Sequence, residues 1–338
     1  MKTPTPSALS PLTFGLLSVL SVSVSALGEL SAASFDCARA QSSSAKLICS
    51  DPSLSALDEQ LAQRYKALRA QLSKEGQSEL KASQRLWLKY WPKLCAEQTN
   101  QEALSLAAAP CARGRYQARI KELSVQRFEG RPYFQPTLHR AAKTQAPWGD
   151  ELIMVEQHLS SHWLLDGGLS GAEAELVQRL NQWLKPRADE LAWLKNSEAF
   201  DMITELSSRE SAQLGTKLWR LAVDTGWMGG AHPMSYRYHK WFHLKARRPL
   251  LASDLFVKPG WEEGLAKLAY ESLKREIPEE LYISGPDKLI ELVREVKSWD
   301  IKAEGLGLYF NNYEVAAYVA GPQSTLIPWV KLKAYLRD

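Results

Sequence analysis

The sequence predicts an α+β protein in two parts: a small disulfide-stapled all-α helical domain, then an α+β domain with an antiparallel sheet. Three observations carry this. Apolar residues recur at steps of three and four between residues 35 and 125. All four cysteines lie at or before residue 111 of a 338-residue chain. Beyond residue 150, runs of aromatic and β-branched residues mix with helical patterns, without the strict alternation of a parallel sheet. The length fits two domains. With 45% hydrophobic and 24% charged residues, the chain is neither collagen-like nor wholly disordered. A net charge of +4 is too weak to imply a nucleic-acid partner.

Residues 1–34 read as a signal peptide. Lys2 is the only charge before Glu29, and Leu12 to Val24 form a short apolar run broken by small residues. Cleavage would follow Ala26 or Ala33. The uninterrupted run is shorter than the roughly 20 residues that span a bilayer, so no stable membrane insertion after cleavage is expected. The expected product is soluble and periplasmic or secreted. Cysteine usage agrees with export. Cys37, Cys49, Cys95 and Cys111 lack the short paired spacing of a zinc site and read as two disulfides. Of the three possible pairings, the sequence-local pairs Cys37–Cys49 and Cys95–Cys111 are favoured.

Within residues 35–125, Asp51-Pro52-Ser53 is a helix start. Leu54, Leu57, Leu61, Tyr65, Leu68 and Leu72 then share one helix face. Lys74 to Gln77 should break the run, and Leu80, Gln84, Trp87, Trp91 and Leu94 begin a second stripe. Ala112, Tyr116, Ile120 and Leu123 make a third. Residues 126–150, with Gly130, Pro132, Pro136 and Pro147, show no periodicity and read as a linker or strap. In the second domain, residues 151–338, helices are expected at 171–184 and 261–276. Strands are expected at Trp219–Val223, Ser235–Leu244, Gly307–Asn311 and Glu314–Val319, with turns at Gly229-Gly230, Asn311-Asn312 and Gly321-Pro322.

No catalytic constellation stands out, and the chain is expected not to be an enzyme. A Gly-x-Ser-x-Gly elbow, a Gly-x-Gly-x-x-Gly loop and a Walker loop are all missing. Glu304 and Glu314 could be imagined as a glycosidase pair, but 38 acidic residues offer many such pairs. His232, His239 and His243 invite a metal reading. Odd spacing on a strand would put the first two on opposite faces, so no metal and no cofactor are expected. Gly229-Gly230-Ala231-His232-Pro233 combines residues tolerant of positive φ with a rigid proline, as a shaped loop or contact surface would.

Two family resemblances point to one partner. Phe35-Asp36-Cys37, Leu47-Ile48-Cys49-Ser50-Asp51-Pro52, Leu57-Asp58 and Gln84-Arg85-Leu86-Trp87-Leu88, followed by Cys95, Cys111 and the Tyr116–Leu123 helix, resemble the LprI-type lysozyme-inhibitor domain. The resemblance covers residues 35–125 and implies a disulfide-stapled helical domain, some members of which inhibit lysozyme. Over residues 170–335, four motifs resemble the extracytoplasmic domain of the RsiV anti-sigma factors. They are Gly229 to Pro233, Ser253-Asp254-Leu255-Phe256, Phe310 to Tyr318 with Gly321-Pro322, and Ile327-Pro328-Trp329. That resemblance implies a lysozyme receptor. A similar domain precedes the catalytic part of a peptidoglycan deacetylase, but neither a deacetylase domain nor the RsiV membrane helix and sigma-binding segment is expected here. Trp329 replaces the tyrosine more usual in that family.

Charge separates the two parts. Residues 36–125 carry 14 basic and 9 acidic side chains, whereas the chain from residue 126 is near neutral. A basic partner such as an animal lysozyme would therefore be better met by the second domain. The expected contacts are Gly230, His232, Pro233, Asn312, Tyr313, Glu314 and Tyr318. The two tyrosines are candidate anchors, at least one acting as such, since odd spacing on a strand puts them on opposite faces, one toward the core and one away. The alternative is a non-catalytic envelope module binding peptidoglycan or another glycan through exposed aromatic faces.

Overall fold

The computed structural model describes residues 33–99, 104–128, 130–145, 150–186, 191, 202–213, 216–227 and 232–337. Most of the expected signal peptide lies outside these residues, as does Gly230. Among the described residues no helix is long and apolar enough to cross a membrane.

Among the described residues four α-helices come first: α1 (Ser43–Ser50), α2 (Pro52–Arg69), α3 (Lys74–Gln98) and α4 (Ala109–Glu122). Short polar side chains start the first three. Ser42 Oγ accepts from the Ala45 amide at 3.1 Å, the Asp51 carboxylate from Leu54 at 2.9 Å, and Ser73 Oγ from Gly76 at 3.3 Å. Because Ser73 caps α3, the break falls just before Lys74 rather than across Lys74–Gln77. Leu54, Leu61 and Leu68 of α2 are buried with Leu80, Trp87, Trp91 and Leu94 of α3 and with Tyr116 of α4. The Tyr116 ring meets Trp87 edge-on at 5.0 Å and Trp91 at 5.5 Å. Its hydroxyl donates to buried Asp58 at 3.0 Å, and burial beside that carboxylate pushes the phenol pKa up. The disulfides are Cys37–Cys49 and Cys95–Cys111, with Cα separations of 5.7 and 5.6 Å.

The expected linker contains strands. β1 (Gln126–Phe128), β2 (Arg131–Phe134) and β3 (Thr137–Gln145) occupy it, followed by β4 (Leu152–Ser160) and β5 (Trp163–Leu164). β1, β2 and β5 form one antiparallel sheet, and β3 pairs with β4. Strands of three or four residues are too short to show a period, yet they bury Phe128, Tyr133 and Phe134. Phe134, Ala141 and Trp163 belong to the same core as the helices. Two glycines permit this approach. A Cβ at Gly76 would meet Trp163 Nε1 at 2.8 Å, and one at Gly167 would meet the Gln71 carbonyl oxygen at 2.5 Å.

A buried polar network crosses the same seam. Arg119, wholly buried, donates to Glu122 at 2.6 Å, Gln84 at 3.1 Å and Ser83 at 2.8 Å. Glu122 also faces His139 Nε2 at 3.2 Å, and His139 Nδ1 meets His158 Nδ1 at 3.0 Å. Burial opposes ionisation of Glu122, but His139 and Arg119 hold its pKa below the usual value.

The remainder is α+β. β6 (Met202–Gln213), β7 (Thr216–Trp227), β8 (Met234–His243) and β9 (Arg248–Pro249) form an antiparallel sheet in chain order. Trp219, Leu221 and Val223 of β7 pack with Val177, Leu180 and Leu184 of α5 (Gly171–Leu184). A second antiparallel sheet comprises β10 (Trp299–Ile301), β11 (Gly305–Phe310) and β12 (Gln323–Pro328). Its residues Trp299, Ile301, Leu306, Leu308 and Phe310 share a core with Leu265, Ala266, Ala269 and Leu273 of α6 (Trp261–Glu276). The strand expected at Glu314–Val319 is instead a turn, an isolated bridge and a short 3₁₀ helix at Tyr318–Ala320. The Glu314 side chain accepts the Asn311 amide at 2.7 Å, closing the backbone into a turn rather than freeing it for a ladder.

Candidate functional site

The loop leaving β11 is held from three sides. Asn311 Oδ1 accepts the Arg237 amide of β8 at 2.7 Å. Val315 and Ala316 are buried, and Leu281 forms an isolated bridge with Ala316. Tyr282 donates its hydroxyl to the Tyr313 carbonyl. Between these anchors Tyr313 adopts φ 68°, a left-handed conformation costly for a side chain with a Cβ. The turn thereby projects its ring outward, 48% exposed.

Tyr313, Tyr318 and His232 form one aromatic ridge. His232 stacks on Tyr318 with centroids 3.8 Å apart, and Tyr313 lies 5.9 Å from Tyr318. The Tyr313 hydroxyl is 3.1 Å from His232 Nε2, and the Tyr318 hydroxyl donates to the Pro233 carbonyl at 2.5 Å. The tyrosines were expected on opposite faces of a strand; the turn brings them to one side. Val319, 92% exposed, and Tyr282, also exposed, extend the apolar surface. Pre-positioned rings lose little conformational freedom on docking, which suits anchor residues.

The other expected site residues sit differently. Asn312 is buried and donates to the Tyr318 carbonyl at 3.5 Å, so it shapes the loop. Glu314 is committed to the Asn311 amide. Gly230 lies outside the described residues. Sequence reading missed Tyr282 and Val319, which no motif marked. Among the described residues no group of His, Cys, Asp and Glu could hold a metal ion.

The helical part presents a different surface. Lys81, Arg85, Lys89 and Lys93 repeat every four residues along α3, all exposed, with Leu88 beside them. Among the described residues none of the four has a carboxylate within ion-pair distance.

Comparison with known proteins resolves two segments. Residues 37–123 match the family of the lysozyme inhibitor LprI. That stretch spans both disulfides and α1 to α4. Residues 253–330 match DUF3298, a protein family of unknown function, which includes Tyr313 and Tyr318 but not His232. No curated protein matches the chain. Two solved structures are similar. A DUF3298 family member from Bacteroides fragilis has 12% identity and a TM-score of 0.39, covering 61% of this chain and 94% of its own. A DUF3298 family protein from Pseudomonas aeruginosa has 20% identity and a TM-score of 0.32, covering 60% and 94%.

Proposed function

We propose that this chain is an exported lysozyme-binding or lysozyme-inhibitory protein, acting by binding rather than turnover in the periplasm or outside the cell. The observation that carries the reading is the lysozyme-inhibitor match over residues 37–123, in a segment stapled by two disulfides. Disulfides persist in oxidising compartments, which supports export.

The contact is assigned to the ridge of His232, Tyr313 and Tyr318, in the manner of an RsiV-like receptor, with the lysozyme cleft occluded by these loops. A strongly basic lysozyme would be repelled by the stripe Lys81, Arg85, Lys89 and Lys93, whereas the ridge presents uncharged rings. Inhibitor interfaces bury about 800 Å² per partner and take most of their energy from a few aromatic anchors.

The test is inhibition and direct binding of lysozyme by the full chain and by Tyr313→Ala and Tyr318→Ala. Each variant should lose about 2 kcal/mol or more of affinity while its melting temperature holds. Full affinity in both variants would move the contact to α1–α4. Failure of the unmodified chain to bind any lysozyme would end the reading.

A further inference from the structure

Strands β7 and β8 have two unlike faces. Arg220, Ala222 and Asp224 of β7 point away from α5, and the register sets Ala222 opposite His239 and Asp224 opposite Arg237. This polar face looks onto β10–β12, where Gly307 pairs with Leu326 and Tyr309 with Ser324. The sheets are tied at one end by Trp241 Nε1, which donates to the Trp299 carbonyl at 2.9 Å, and again where the Arg237 amide meets Asn311 just past β11. Elsewhere they stand apart and leave a cleft of about 550 Å³. That volume lies within the range of small-molecule sites.

The lining is polar where two packed sheets would ordinarily share apolar side chains. Its three cations are balanced by Asp300, Asp224 and Glu276 around the cleft. Arg220 pairs with Asp300, Lys302 lies 3.4 Å from the same carboxylate, and Arg237 binds Asp224 at 2.6 Å. Arg237 also covers the Tyr309 ring at 5.3 Å. Among the described residues, two buried groups on the cleft wall nevertheless have no partner: Arg220 Nε and His239 Nδ1. His239 is only 4% exposed. A buried polar atom left unpaired costs free energy that a ligand would recover. Burial pushes the His239 pKa down to about 4, so at neutral pH its ring is uncharged and Nδ1 can donate or accept.

We propose that this inter-sheet cleft binds a short, uncharged oligosaccharide, with a ligand oxygen accepting from Arg220 Nε and a hydroxyl pairing with His239 Nδ1. Paired cations offer oriented N–H groups without net attraction for an anion, and Asp300 and Ser324 supply acceptors beside them. Sugar hydroxyls use donors and acceptors together. The cleft and the aromatic ridge are different surfaces, so this site does not depend on lysozyme binding.

Calorimetry of the full chain with chitotriose, cellotriose and sodium phosphate tests the site. At least one trisaccharide should bind saturably and phosphate should not. Arg220→Met should weaken that binding at least tenfold. Leu326→Trp should do the same by filling the cleft from a position 37% exposed, with its melting temperature unchanged. Lysozyme affinity, measured on the same samples, should be equal in all three proteins. Absence of trisaccharide binding, unchanged binding in Leu326→Trp, or binding of phosphate alone would each overturn the proposal. Sugar binding without lysozyme binding would leave it standing and defeat only the inhibitor reading.

Discussion

The helical segment and the C-terminal α+β region solve one stability problem in different ways. α1 to α4 bury one aromatic-rich core, bind it with two disulfides, and complete it with Phe134, Ala141 and Trp163 from the following strands. The C-terminal region has no cysteine; α6 seals its β10–β12 sheet, and Trp299, Ile301 and Phe310 are fully buried. The helical segment adds covalent restriction of its unfolded chain to the burial of its core. The C-terminal sheet, closed by α6, does without it. The exposed surfaces divide likewise, with a row of cations on α3 and aromatic rings and a polar cleft on the C-terminal region.

The largest effect should come from removing both disulfides. Replacing the four cysteines by serine should cost roughly 3 kcal/mol per cross-link on the loop-entropy model. Hydrogen exchange should then show α1–α4 and β3 losing protection while α6 and β10–β12 keep theirs. Simultaneous loss in both regions would show that the seam through Trp163 makes them one cooperative unit. Trp163→Ala probes that seam directly. It empties a site shared by α3 and β5 and should cost about 3–5 kcal/mol in chemical denaturation. A cost below about 1 kcal/mol would mean that the helices and strands fold without each other.

These contrasts were unevenly legible in the sequence. The helix stripes and local disulfides could be read because their partners lie within a few turns of chain. β1–β3 could not: Phe134 and Ala141 are buried by helices up to about 80 residues earlier, a relation that no local period records. The loop at Tyr313 depends on Arg237 and Leu281, both distant in sequence. In the cleft, alternation of Arg220, Ala222 and Asp224 with Trp219, Leu221 and Val223 announces a two-faced strand. It does not announce that a second sheet stands opposite the polar face.

Acid should weaken the strand region at a defined place. His162 is 6% exposed between Phe128 and Tyr133, and burial pushes its pKa down to about 4. The unfolded chain, with a histidine pKa near 6.5, takes up the proton first. Stability from this group is therefore complete above about pH 6.5 and falls as the pH drops toward 4. The loss should reach about 3 kcal/mol, at 1.36 kcal/mol per pKa unit. His162→Gln should remove that part of the pH dependence, seen as the difference between the two proteins' unfolding curves at pH 7 and pH 4. Parallel curves would show that the imidazole takes up its proton within the fold without penalty.

The smallest effect separates conformation from contact at Tyr313. At φ 68° a residue with a Cβ is strained by about 1–2 kcal/mol relative to glycine. Tyr313→Gly and Tyr313→Ala remove the same ring and the same hydroxyl contact to His232, and differ in that strain and in the freedom of the unfolded chain. If the anchors at Asn311, Val315 and Ala316 hold the turn, the glycine variant should unfold at higher denaturant by about 1 kcal/mol. Glycine's greater unfolded-state freedom, worth about 0.5–1 kcal/mol, works against that difference and reduces it. Lysozyme affinity should fall equally in the two, since the ring is absent from both. An alanine variant as stable as the glycine one would show that the loop relaxes when the ring goes. The ring itself, through His232 and Tyr318, would then be what holds Tyr313 in its left-handed conformation.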